Sequence, residues 1–268
     1  MSISTPMPGS ANPVRITARI QPQHGTYAAQ RAAWIASDDL GADAIMNWDH
    51  FYPLSGDPDG AHFEGYTLLA AMAEVTSRAQ IACLVTCNSY RNPNLLADMA
   101  RTIDHISGGR FILGMGSGWF EKDYDEYGYA FGTAPSRLQD LARDLPIILD
   151  RFTKLNPGPV NGTIPLMIGG GGEKVTLRLV AQHANIWHGN GDLATLTHKS
   201  EVLNDWCGRL GRDAASIERS TTLSPTEQGD LDAYVAIGVT HFTVNAGGPD
   251  YDLGFIREMI QWRDARNR

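Results

Sequence analysis

The sequence predicts a (β/α)8 barrel, and three observations carry the prediction. Eight short β-rich runs alternate with stretches whose apolar residues recur at helical spacing. Most of the runs are apolar along their length rather than alternating, which suits parallel strands covered on both faces. No composition shift or long linker divides the 268 residues, and α/β barrels are domains that reach this length. A doubly wound parallel sheet shares this periodicity; the count of eight favours the barrel.

In chain order the strand candidates are VRITARI (14–20), DAIMNW (43–48), QIACLVT (80–86), RFILGMG (110–116), IPLMIG (164–169), ANIWHG (184–189), ERSTTL (218–223) and HFTVNA (241–246). Helix candidates lie at 26–40, 64–77, 92–107, 135–152, 173–183, 193–210, 229–238 and 252–266. The third is the clearest. Asn92 can cap it, Pro93 suits its first turn, Leu95, Leu96, Met99, Ile103 and Ile106 make one stripe, and Gly108 and Gly109 stop it. Residues 1–13 read as a flexible tail and 14–268 as the single barrel domain.

Composition excludes several functions. The formal net charge is −8, from 22 basic and 30 acidic residues, with no basic patch, so nucleic acid is not an expected partner. No apolar run approaches the roughly 20 residues of a membrane span. The opening MSISTPMPGSANP lacks the basic and apolar regions of a signal peptide, and a soluble cytoplasmic protein is expected. Cys83, Cys87 and Cys207 form neither a disulfide framework nor a CxxC pair and read as small buried side chains.

Barrel ligands sit at the C-terminal ends of the strands. Asp49 and His50 follow the second strand, where the acid beside a titratable imidazole singles out His50 among the eight histidines. Thr86 follows the third strand, and Ser117, Gly118 and Trp119 follow the fourth. Gly169 to Gly172 follow the fifth, and Trp187, His188, Gly189 and Asn190 follow the sixth. Four glycines ahead of a helix offer bare backbone N–H groups to a phosphate, although they match neither GxGxxG nor a P-loop. His62, His105, His183 and His198 read as surface or helix residues. Glu121, Asp123 and Asp125 read as a solvated helix start, and no metal site is expected.

Three segments resemble the luciferase-like flavin and deazaflavin oxidoreductases, most closely the coenzyme F420-dependent branch. They are NWDHF, LVTCNSYRNPNLLADMARTIDHISGGRFILGMGSGW and PLMIGGGGEKVTLRLVAQHANIW, within a similarity over roughly residues 14–223. The resemblance implies F420 in the barrel mouth, its ring backed by a bulge in the third strand with a non-proline cis peptide at Cys83–Leu84. It implies ring contacts from Thr86, Ser117 and Gly118, and a phosphate held at Gly170, Gly171 and Gly172. Asp49 would help fix the cofactor and His50 would give or take the proton.

Two departures shape the expected reaction. Trp119 stands where sugar-phosphate and alcohol dehydrogenases of this branch carry Glu, and Leu54 where they carry Trp. A site with an imidazole, aromatic walls and no carboxylate suits a reductase acting on a C=C or C=N bond of a small molecule. Trp119, Leu54 and Trp187 would line the substrate pocket. Residues 153–163 are a shortened insertion between the fourth helix and fifth strand, which implies an open mouth or one completed by a second subunit in a homodimer. The alternatives are an FMN-dependent monooxygenase and a barrel that binds a cofactor without catalysis.

Overall fold

The computed structural model describes residue 9 and residues 11–226 and 231–268. Its strands are β1 (Arg15–Ile20), β2 (Ala44–Asn47), β3 (Gln80–Cys83), β4 (Thr86–Cys87), β5 (Phe111–Gly116), β6 (Leu166–Gly169), β7 (Ile186–His188), β8 (Glu218–Leu223) and β9 (Val239–Ala246). They pair in parallel in the order β3, β2, β1, β9, β8, β7, β6, β5, β4, and a further β3–β5 pairing closes the ring. β3 and β4 are two halves of one expected strand, so nine segments make an eight-stranded barrel.

Helices α1 (Tyr27–Leu40), α2 (Gly65–Val75), α3 (Pro93–Ile106), α4 (Glu121–Tyr127), α5 (Ala134–Lys154), α6 (Thr176–His183), α7 (Leu193–Leu210), α8 (Leu231–Ala236) and α9 (Gly254–Arg266) wrap it. Most of the expected tail, and the start of the 229–238 candidate, lie outside the described residues. Asn92 does cap α3, accepting from Asn94 N at 2.9 Å. Its buried face is Leu96, Ala97, Ala100 and Ile103, while Leu95 and Ile106 are exposed. At about 100° per residue the 96, 97, 100 and 103 positions share one face, and Leu95 and Ile106 fall off it. Among the described residues no helix is long and apolar enough to cross a membrane.

The split between β3 and β4 shapes the site. Cys83 still holds register with Asn47, and Leu84 N donates to Asn47 O at 2.9 Å. The chain leaves the ladder only after that bond, so the cis peptide lies at Leu84–Val85 and not at Cys83–Leu84. Neighbouring strands make room for the displaced segment with glycine. A Cβ on Gly114 would stand 2.0 Å from Cys83 O, and one on Gly116 would stand 2.5 Å from Val85 Cγ2. One on Gly169 would meet Val85 Cγ1 at 2.9 Å. No larger residue fits those contacts without moving a strand.

The barrel interior has two chemical halves. From β2 to β7 it is filled by Ala44, Met46, Ala82, Ile112, Met167 and Ile186. In β1, β8 and β9 the alternation is polar inside and apolar outside, because Ile16, Ala18, Ile20, Phe242 and Val244 join the core beneath the helices. Inward therefore come Arg15, Thr17 and Arg19, with Glu218, Ser220 and Thr222 and with His241, Thr243 and Asn245. At the bottom Arg15 Nη1 meets Glu218 Oε2 at 2.9 Å, and His241 Nδ1 lies 3.3 Å from Glu218 Oε1.

The short connection from α5 to β6 does not border the mouth. Val160 N donates to Asp104 Oδ2 at 2.8 Å, and Gly158 O lies 2.7 Å from His105 Nε2, at the C-terminal end of α3. A helix returning to a parallel strand must end at that strand's N-terminal edge, the face opposite the ligand site. The expectation that this segment's length sets the openness of the mouth is corrected accordingly.

Burial works against the charge on Glu218, yet His241 and Arg15 beside it hold its carboxyl at about 2 rather than 4.5. A carboxyl depressed in the folded state stabilises the fold above its unfolded value and loses that contribution as pH falls through the folded one. The gap corresponds to roughly 3 kcal/mol. Glu218→Gln is expected to be less stable than wild type near neutral pH by up to about that amount, and its deficit should shrink between pH 4.5 and about 2. Urea unfolding across this range measures it.

Candidate active site

A cavity of about 470 Å³ opens at the C-terminal ends of the strands, a size suited to a small-molecule site. His50, following β2, lines it, and its Nδ1 lies 2.8 Å from Asp123 Oδ2. Asp123 is fully buried. Its Oδ2 also accepts from Tyr90 Oη at 3.0 Å, and its Oδ1 from the backbone N–H groups of Phe51 at 3.1 Å and Tyr52 at 3.2 Å. Four donors converge on one carboxylate. Burial keeps the Tyr90 hydroxyl protonated well beyond the usual phenol range, so it serves as a donor.

This geometry corrects two expectations. Asp123 is not part of a solvated helix start, and the site does contain a carboxylate, though not at position 119. Helix α4 reaches back over the β2 loop because Phe51 stacks on Tyr127 at 3.9 Å between ring centroids and Tyr90 packs edge-on to Tyr124 at 5.3 Å. Gly128, at φ 71°, ends the helix one residue later. The sequence held only a weak signal: Asp123 shares the inward face with Tyr124, between charged residues on the outer face. Nδ1 of His50 is committed to Asp123, which leaves Nε2 for the cavity.

Asp49 is also buried, with Arg91 Nη1 and Nη2 at 2.7 and 2.8 Å and the Cys87 N–H at 2.9 Å. Burial alone raises its carboxyl, and the Arg91 fork opposes this. The fork decides, because a neutral Asp49 would leave a mostly buried guanidinium without its counter-ion. Arg91 also meets Glu64 at 2.7 Å and lies 4.3 Å above the Tyr66 ring, whose hydroxyl is 2.7 Å from Thr86 Oγ1. Asp49 thus anchors the wall carrying Thr86 and Cys87. His62 is half-buried and accepts from Trp48 Nε1 at 3.0 Å; burial, with His50 nearby, pulls it down to about 4.

The other expected site residues divide. Leu84, Thr86, Ser117, Gly118, Gly170, Leu54 and Trp119 line the cavity, Trp119 at its rim with 63% exposure. Cys83 faces the outer core instead. Trp187 is fully buried behind the wall, its Nε1 donating to Gly170 O at 2.9 Å, because pleating turns its neighbour His188 inward in its place. His188 lies 3.0 Å from Ser220 Oγ and 3.3 Å from Thr222 Oγ1, and burial, with Arg19 beside it, pulls it down to about 3. Gly171 and Gly172 are exposed just ahead of α6, outside the cavity lining. His188 lies at the mouth as its place after the sixth strand implied, whereas Tyr90 and Arg19 were not singled out from sequence.

The residues lining the cavity fit a flat ring. Gly116, Gly169 and Gly170 bare one wall, Leu84 and Val85 form an apolar backing, and Thr86 and Ser117 supply polar edges. Among the described residues no three His, Cys, Asp or Glu side chains group to hold a metal.

The site is thus a parallel-barrel mouth with an apolar, glycine-walled slot and a carboxylate-held imidazole. Residues 9–228 match the model of the luciferase-like monooxygenase family, and the chain belongs to that family. An uncharacterized protein of Mycobacterium tuberculosis is 25% identical over 218 residues, covering 74% of this chain and 76% of that one. An F420-dependent secondary alcohol dehydrogenase in complex with an F420-acetone adduct superposes with a TM-score of 0.80 at 14% identity, covering 92% of this chain and 98% of that one. The coenzyme F420-dependent tetrahydromethanopterin reductase of Methanopyrus kandleri gives 0.71 at 16% identity, covering 93% and 96%. The oxygenating constituent of 3,6-diketocamphane monooxygenase of Pseudomonas putida, in complex with FMN, gives 0.64 at 16%, covering 79% and 67%. These similarities show a shared fold with both F420 and FMN proteins.

Removing Arg91 would strand Asp49. Arg91→Met is expected to destabilise the fold by about 3 to 5 kcal/mol at neutral pH. A stranded carboxyl titrates above its unfolded value, so the deficit should be smaller at low pH. Denaturant unfolding of both proteins at two pH values tests this.

Proposed function

We propose that the protein is an F420-dependent oxidoreductase that reduces a polarised C=C or C=N bond of a small molecule. The Asp123–His50 pair at the cavity wall carries the reading. An imidazole fixed to handle one proton suits a reaction in which hydride and proton add to the two ends of one double bond.

When bound, reduced F420 supplies the hydride. Gly116, Gly169 and Gly170 with Val85 would bed its ring, Thr86 and Ser117 would meet the ring's polar edge, and the backbone of Gly171 and Gly172 would take its phosphate. His50 handles the proton. Asp123 keeps Nδ1–H pointed away from the cavity, so Nε2 presents the proton to the substrate atom that gains electron pair density. The buried carboxylate holds the orientation and tautomer of the ring. Water at the open rim then restores the proton.

The same pair favours a second reading, the interconversion of a ketone and a secondary alcohol, with His50 giving its proton to oxygen. Its support is the carboxylate at His50 and the similarity to the dehydrogenase carrying an F420-acetone adduct. It departs from the expected reductase by one atom of the substrate.

The deciding experiment is a fluorescence titration of the protein with F420 and with FMN. F420 is expected to bind at least tenfold more tightly; the reverse preference would move the protein to FMN-dependent oxygenation, and binding of neither would remove the cofactor reading. His50→Asn should lower kcat with reduced F420 by about a hundredfold or more while leaving F420 affinity within a factor of about three. Asp123→Asn should lower kcat by a similar order and displace the pH profile, as expected of a residue acting through His50.

A further inference from the structure

We infer that the substrate is a carboxylate, and that Arg19 binds its carboxylate group while the double bond lies beside His50. The inference rests on the function proposed above for the reaction and adds the group that is recognised.

Arg19 is the last inward-facing residue of β1 and lines the cavity. Its Nε donates to Asn245 Oδ1 at 2.6 Å, which uses one of its five donors. Among the described residues no carboxylate lies within ion-pair distance of it. Arg15, on the same face of the same strand, pairs with Glu218. The two arginines share strand, face and burial, yet only the deeper one has a counter-ion.

The nearby acids do not supply one. Both oxygens of Asp49 are taken by Arg91, and Asp123 is occupied by His50, Tyr90 and two backbone N–H groups. His188 beside Arg19 is neutral, since burial holds it at about 3. Burial also pulls Arg19 down, but only to about 10, so it is charged at neutral pH. A half-buried guanidinium that lacks a counter-ion and faces a cavity is completed by an anionic ligand. Its planar fork is matched in shape to a carboxylate.

Trp48 places the two ends of the ligand. Arg19 Cζ lies 5.8 Å from the Trp48 ring centroid, and the His50 ring lies 6.3 Å from the same ring. The guanidinium and the imidazole thus both flank one indole in the wall of one cavity, which suits a carboxylate a few bonds from the double bond.

The test uses a matched pair of probes, cinnamate and cinnamamide, which differ in charge. Their binding is followed by tryptophan fluorescence, to the protein with and without F420, in wild type, Arg19→Met and Arg19→Lys. Wild type should bind cinnamate at least tenfold more tightly than cinnamamide. Arg19→Met should abolish that preference by weakening the acid alone, and Arg19→Lys should restore part of it, with F420 affinity unchanged in both. Equal binding of the two probes by wild type, no binding of cinnamate, or an acid preference that survives Arg19→Met would overturn the inference. So would a loss of F420 affinity in Arg19→Met without a change in the probe ratio, since Arg19 would then serve the cofactor. Failure of wild type to bind F420 would instead strike the proposed function, and the cofactor-free titration would still decide the role of Arg19.

Discussion

The site depends on one buried carboxylate. Asp123 draws donors from His50, Phe51 and Tyr52 in the loop after β2 and from Tyr90 after β4, and so fastens two separate parts of the chain to helix α4. A carboxylate that deep is tolerable only with its lone pairs filled, and the filling fixes which nitrogen of His50 points inward. Position of the helix, closure of the mouth on that side and tautomer of the imidazole are consequences of the same desolvation constraint.

A second constraint lies where β3 and β4 part, beside β5. Val85 projects where β3 and β4 part, and Gly114, Gly116 and Gly169 are the neighbours that permit it. Their lack of side chains both accepts the displaced chain and leaves a flat face. The glycines of β5 thus serve packing first, and the slot for a ring follows from it. This is a different use of glycine from that at Gly171 and Gly172, which are exposed and lie ahead of a helix.

Electrostatics divides the cavity in the same manner as the barrel interior. The apolar half, from β2 to β7, contains the slot; the polar half, β1 with β8 and β9, ends in Arg19, Asn245, Thr222 and His188. Burial keeps the histidine of that group neutral, and the acids of the cavity wall are satisfied by Arg91 and by the donors around Asp123. A bound molecule would thus meet an apolar bed on one side and a cation on the other.

Much of the architecture was legible because it is local. The eight strand segments, the cap at Asn92 and the glycine run before α6 are set by periodicity and backbone freedom within a few residues; the end of the second strand pointed to Asp49 and His50, and the resemblance to the luciferase-like barrels gave them expected roles. Other features depended on chain closure. Whether an acid on a short helix is solvated or buried is decided by the aromatic residues that pull α4 inward, and Asp123 lies 73 residues from His50. Which neighbour faces the cavity, His188 or Trp187, depends on strand register, where a slip of one residue exchanges the two faces. The pairing of Arg15 and the lack of a counter-ion at Arg19 depend on what β8 and β9 place opposite them. The amino-acid sequence by itself determined the elements and the family, because those follow from short-range spacing; tertiary structure decided the charges and partners at the site, because desolvation and pairing exist only once distant segments meet.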